Sequence, residues 1–215
     1  MWNWIHDPVL IGPQSPIVGN ECPAADLVAS VKRIFLTLSL VANAVLLYAI
    51  TRGLNIEDAA VPSAETQQQV GLHMLIGLGA LTFATLIHAI SLTYFMGTGR
   101  FLEETSNAYS LSPDYCARSQ QLKYRMLPGM VVCLLLLIST GALGAVADPA
   151  TQASLAGTLG MTDAQIHLTG AIVTLLANLL ATAQEYRSVS ENSSIVDQVL
   201  ADVQRIRRER GLPVE

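Results

Sequence analysis

Apolar residues gather in four long runs, at about 34–51, 70–96, 126–147 and 164–183, and none of the four contains a Lys, Arg, Asp or Glu. An α-helix needs about 20 apolar residues to cross ~30 Å of hydrocarbon. The runs therefore predict an all-α integral membrane protein, a bundle of four transmembrane helices. The second run is longer than one crossing requires, so it should tilt or protrude, with Gly97 and Gly99 marking its end.

Between and beyond the runs the pattern changes. Residues 1–27 hold Pro8, Pro13, Pro16 and Pro23, a spacing that forbids a long helix and predicts a Pro-rich arm. Trp2 and Trp4 suit a membrane interface. The loop 100–124 predicts a short surface helix followed by a Ser112-Pro113 turn. Pro128 and Gly129 fall near the start of the third span. Thr162-Asp163-Ala164-Gln165 reads as a capping box opening the fourth helix. After Arg187 the chain turns polar, and then Ile195, Val196, Val199, Leu200, Val203 and Ile206 recur at three- and four-residue steps. That spacing is the stripe of an amphipathic helix. Three segments result: the arm at 1–27, a transmembrane domain at 28–187, and an amphipathic helix with a tail at 188–215. The stripe has three candidate receivers: a partner groove, the membrane surface, or the chain's own loops.

Charge gives the runs a direction. Of the 12 Lys and Arg, Arg52 alone falls on one side of a four-span layout. Lys32, Arg33, Arg100, Arg118, Lys123, Arg125, Arg187, Arg205, Arg207, Arg208 and Arg210 all fall on the other. The positive-inside rule places that crowded side in the cytoplasm. The expectation is a multi-pass protein of the cell (inner) membrane with both termini cytoplasmic. Glu57, Asp58, Glu65, Asp148 and Asp163 lie in the two outer loops.

Composition agrees: 51% of residues are hydrophobic and 13% charged, against about 25% charged in soluble domains. The net charge of −5 and the short basic run give no support for nucleic-acid binding. Cys22, Cys116 and Cys133 match no zinc or iron–sulfur spacing, and Cys133 reads as a small packing residue. The N-terminus lacks the basic and apolar regions of a cleavable signal, so the first span should serve as an uncleaved one. There is no P-loop, HExxH or GxSxG motif.

The candidate chemistry lies with histidines, because ionisable groups inside membranes are costly and tend to be functional. His73 stands three residues into the second run and His167 three residues into the fourth. These two helices run parallel, so the histidines share a depth near the outer face. His73, Gly77, Ala80 and Ala84 follow one stripe. His167, Ala171, Thr174, Asn178, Ala181 and Glu185 follow another. Small residues on such faces serve either close helix contact or room for a flat cofactor.

This arrangement resembles membrane-bound b-type cytochromes, whose four-helix bundles place axial histidines on the second and fourth spans. The resemblance rests on His73 and His167 alone. It implies haem b ligated by this pair, with Gly77 leaving room for the porphyrin. The chain departs from the two-haem version of that family: helix two offers His88, but helix four offers Ala181 and Thr182 at the matching depth. An inner haem on His88 would need Met126, Met130 or His6 as its second ligand.

Two functional expectations follow. The first is a membrane subunit without catalytic activity of its own, packing in a larger complex of membrane proteins or with further copies of itself. The second is a haem-b electron-transfer subunit exchanging electrons with a redox partner and quinone. His88, Asn178 and Glu185 outline a polar path for protons or a quinone headgroup. The plainer reading pairs Glu185 with Arg187 or Arg100. Asn43, alone at mid-span, should bond to another helix.

Overall fold

The computed structural model describes residues 23–56 and 63–213. They form α1 (Pro23–Leu54), α2 (Ala64–Tyr109), α3 (Asp114–Ala147) and α4 (Asp163–Glu209), with one short 3-10 turn at Thr158–Gly160. All four α-helices are long and apolar enough to span a membrane. Leu75, Leu78, Ile138 and Leu180 turn outward at 66–74% exposure. Leucine and isoleucine shown so fully along helix faces suit contact with lipid chains.

Each helix packs against its neighbours in chain order, and α4 closes on α1. The bundle is not square. The backbones of α2 and α4 meet across one diagonal, whereas those of α1 and α3 stay more than 8 Å apart. Small side chains allow this squeeze. Ala80 and Ala84 of α2 and Ala181 of α4 are buried in one cluster with Leu46, Ala49, Cys133 and Leu137. Alanine lets helix backbones approach where larger residues would hold them apart.

The helix starts follow local chemistry. Ser63 caps α2 by accepting from the Thr66 amide. Thr162 and Gln165 complete both halves of the capping box, satisfying two amides that the first turn would otherwise leave open. Pro23 opens α1, a place where its missing amide costs nothing. The remainder of the arm, with Trp2, Trp4, His6 and Cys22, and the loop residues Glu57 and Asp58 lie outside the described residues.

The helices are longer than their apolar runs. Gly97 and Gly99 do not end α2, which continues to Tyr109. No separate surface helix forms in 100–124. The chain reverses at Ser110, in the left-handed conformation at φ 54°, and α3 begins at Asp114. Pro128 therefore sits inside α3 rather than at its start and removes one backbone hydrogen bond.

The fourth helix is also unbroken. The polar stretch after Arg187 continues α4 to Glu209, with Ser188, Asn192 and Ser193 buried. Polarity there marks an inner face, not a boundary. The stripe beyond it packs on the chain's own helices. Ile195 and Val199 are buried with Phe95 and Leu102 of α2 and Leu122 and Met126 of α3. Helix α2 alone runs roughly 69 Å over its 46 residues, so the bundle extends well past the apolar runs at this end. Arg100, Arg118, Lys123, Arg125 and Arg187 cluster there, and it is termed the basic end below.

Candidate functional site

The His73 and His167 rings meet across the short diagonal between α2 and α4. Their centroids lie 6.0 Å apart at an interplanar angle of 76°. Each ring is backed by a glycine of an adjacent helix. A Cβ on Gly53 of α1 would stand 2.9 Å from His73 Cε1, and one on Gly144 of α3 would stand 3.1 Å from His167 Cε1. His73 Nδ1 lies 3.1 Å from the Ala49 carbonyl, one turn before Gly53. A carbonyl can only accept, so Nδ1 carries the proton and Nε2 keeps its lone pair. His167 Nδ1 is buried and makes no hydrogen bond of full geometry, but the Thr140 carbonyl, one turn before Gly144, interacts with its ring. The two histidines thus occupy similar seats, each on a helix-end glycine.

The site can be tested against metal chemistry. A metal–imidazole bond of about 2.0–2.1 Å puts the centroids of two rings on opposite sides of one metal roughly 6 Å apart. The observed separation matches. Among the described residues no group of three or more His, Cys, Asp or Glu gathers to hold an ion. Two imidazoles alone under-ligate a bare divalent ion but complete a group that brings its own equatorial ligands. Gly77 sits one turn along from His73, and nothing lies within 4 Å of where its Cβ would be. Arg52, next to Gly53, is half-buried, and its Nε has no hydrogen-bond partner.

A second polar cluster lies deeper in the bundle and joins all four helices. His88 of α2 and Glu185 of α4 are 0% and 1% exposed, with Nδ1 and Oε1 2.6 Å apart. Ser91 donates to Glu185 Oε2 at 2.7 Å. His88 Nε2 is 3.1 Å from Asn178 Oδ1, which also accepts from the Cys133 thiol at 3.5 Å. Asn178 Nδ2 donates to Asn43 Oδ1 at 2.9 Å. Asn43 Nδ2 donates to the Ser39 carbonyl at 2.8 Å and to Thr182 Oγ1 at 3.3 Å. One turn towards the histidine pair, the Thr140 and Thr174 hydroxyls lie 2.6 Å apart.

The structure brings His73 to His167, and His88 to Asn178 and Glu185. It does not bring Glu185 to either arginine. Arg100 pairs with Glu104 at 2.8 Å on the surface, while Glu185 faces inward to His88. The reason is helical phase: Glu185 shares the buried face of Thr174 and Asn178. An inner haem on His88 is also disfavoured, because both of its ring nitrogens are engaged by side chains. Asn43 does bond to another helix, α4. Cys133 packs in the apolar cluster and also donates a hydrogen bond.

Sequence reasoning missed Gly53, Gly144 and Ser91. The two glycines had a signal: both stand near the loop ends of helices antiparallel to α2 and α4, at the depth of the histidines. Ser91 had none, since serine and threonine in spans usually bond to their own helix, as Thr82, Thr85 and Thr182 do here. Searches against family models, curated proteins and solved structures find no match for this chain.

Proposed function

We propose that the chain is a membrane electron-transfer subunit that holds one haem b between His73 and His167. The observation that carries this reading is the 6.0 Å ring separation, the spacing two imidazoles take around a single iron. Bound haem would supply one-electron chemistry at its iron; the chain's own residues would set the rest. The Ala49 carbonyl holds the His73 tautomer that leaves Nε2 available, as ligating histidines require. Gly53 and Gly144 let each ring lie flat against a helix backbone. Arg52 offers a cation to an anionic group at that end of the bundle. In this reading quinone and a redox protein are the partners, and the cell membrane, with the basic end in the cytoplasm, is the location.

A visible absorption spectrum of the purified chain tests the proposal. The expected result is a Soret band that is lost in His73→Ala and in His167→Ala. A folded, colourless preparation from haem-replete cells overturns it.

A second reading, a subunit that packs without a cofactor, has one observation in its favour. Leu81 packs on Gly141 and Leu143 on Gly170, 3.3 and 2.8 Å from where a Cβ would stand. These glycines serve tight helix contact. The same spectrum decides between the readings.

A further inference from the structure

We propose that His88 and Glu185 bind and release a proton inside the bundle, and that this proton moves to and from the basic end along the α4 face of Ser188 and Asn192. The proposal goes beyond the haem reading and does not require it.

The hydrogen bonds around His88 fix where protons lie. The Ser39 carbonyl is backbone and can only accept, so the atom of Asn43 facing it must be the amide nitrogen. Asn43 then presents its oxygen to Asn178, which must donate through its own nitrogen. Asn178 therefore presents its oxygen to His88, and Nε2 must carry a hydrogen. That leaves the contact between Nδ1 and Oε1, at 2.6 Å. A neutral imidazole with its hydrogen on Nε2 would set a lone pair against a carboxylate lone pair, which is repulsive. The contact therefore holds a further proton, shared between imidazolium–carboxylate and imidazole–carboxylic acid. Ser91 donates to the remaining carboxylate oxygen.

The loaded pair is neutral, and loss of its proton leaves one negative charge. The titratable neighbour on α3 is Cys133; α1 presents Asn43 and the Ser39 carbonyl, α2 presents Ser91, and α4 presents Asn178.

The exit is marked by unpartnered atoms. Ser188 Oγ and Asn192 Oδ1 are buried without hydrogen-bond partners, and both residues are 0% exposed. They continue the face of Glu185 at three- and four-residue steps towards the basic end. Buried polar atoms of this kind are ordinarily satisfied by water. Waters beside Ser188 and Asn192 would bridge the roughly 10 Å of helix between Glu185 and Asn192. Asn192 Nδ2 donates to Thr98 Oγ1 at 2.9 Å, and Thr98 is half-exposed at the bundle surface. A proton leaving Glu185 passes to the first water, and each water hands on another until one reaches bulk solvent.

The test uses the full chain in liposomes, with orientation read from access to the C-terminal tail. Infrared difference spectra are recorded after an alkaline jump applied with impermeant buffer on one side. The expected result is a proton-loss signal that is absent in Glu185→Gln and follows a jump at the basic end. In Ser188→Val the signal should be about tenfold slower, and Ser188→Thr, which keeps a hydroxyl, should restore the rate. No Glu185-dependent signal, a response to the opposite side, or equal rates for the Val and Thr variants would overturn the proposal. None of these readouts depends on haem content, so a colourless protein leaves this test intact.

Discussion

The ring of His73 lies against Gly53 so closely that a Cβ there would stand 2.9 Å from Cε1. The twin contact of His167 with Gly144 is almost as tight, at 3.1 Å. Two helix-end glycines, on α1 and α3, thus seat the two rings of α2 and α4.

Replacing either glycine with alanine should displace its ring. Overpacking of this kind costs about 1–3 kcal/mol, and the imidazole would move rather than the helix backbone. Gly53→Ala and Gly144→Ala should each lower thermal stability in detergent and shift or weaken any haem absorption. Gly71→Ala and Gly79→Ala, where nothing lies within 4 Å of the new carbon, should leave any absorption unchanged and hold stability or raise it by up to about 1 kcal/mol. Equal behaviour of all four variants would show that the ring seats do not matter.

Gly77 separates the cofactor reading from the packing one. Its Cβ position is open, with no atom within 4 Å, so alanine there should not lower the stability of the empty chain and should raise it by up to about 1 kcal/mol. A porphyrin beside His73 would need that space. Gly77→Ala should therefore reduce the ratio of haem absorbance to protein while the melting temperature of haem-free material holds or rises. A full haem complement in the variant would remove Gly77 from the site.

Much of this is legible in the sequence. Charge-free runs point to four antiparallel helices apolar enough to cross a membrane, and depth-matching on parallel helices pairs His73 with His167. Helix phase was legible too, since Asn178 and Glu185 do share a face. The ends were not. Gly97 and Gly99 look like stops, but glycine weakens a helix by only about 1 kcal/mol, and the Phe95, Leu102 and Val199 cluster outweighs that. The polar segment after Arg187 looks like an exit from the bundle because residue type does not reveal which face is inward. Glu185 looked suited to a surface arginine for the same reason: its partner His88 is 97 residues away along the chain, and no local pattern encodes that contact.

Removing one member of the His88–Glu185 pair should be far more damaging than removing both. His88→Leu strands a carboxyl group with Ser91 as its remaining donor, and loss of one partner from a buried pair costs about 3–5 kcal/mol. The double variant His88→Leu/Glu185→Leu removes the stranded group and should recover a substantial part of that loss. Denaturant unfolding in detergent of the wild type, both single variants and the double variant closes the cycle. Additive losses would mean that the two side chains are not coupled.

Beyond the apolar runs, Tyr115 of α3 donates its hydroxyl to Asp202 Oδ2 of α4 at 2.8 Å, tying the extended helices together. That hydrogen bond, helped by burial and by the carboxylate's charge, holds the Tyr115 hydroxyl above the ordinary tyrosine range. A group whose folded pKa is raised adds stability in full below its unfolded value, about pH 10 for tyrosine, and loses it as pH rises through the folded value. Tyr115→Phe should therefore loosen the basic end by about 1 kcal/mol at neutral pH. The gap between variant and wild type should shrink only above about pH 10. Amide hydrogen exchange in α4 beyond residue 195 reads the effect locally. Protection lost equally throughout α4, or a gap unchanged by alkali, would show that the bond does not hold the extension in place.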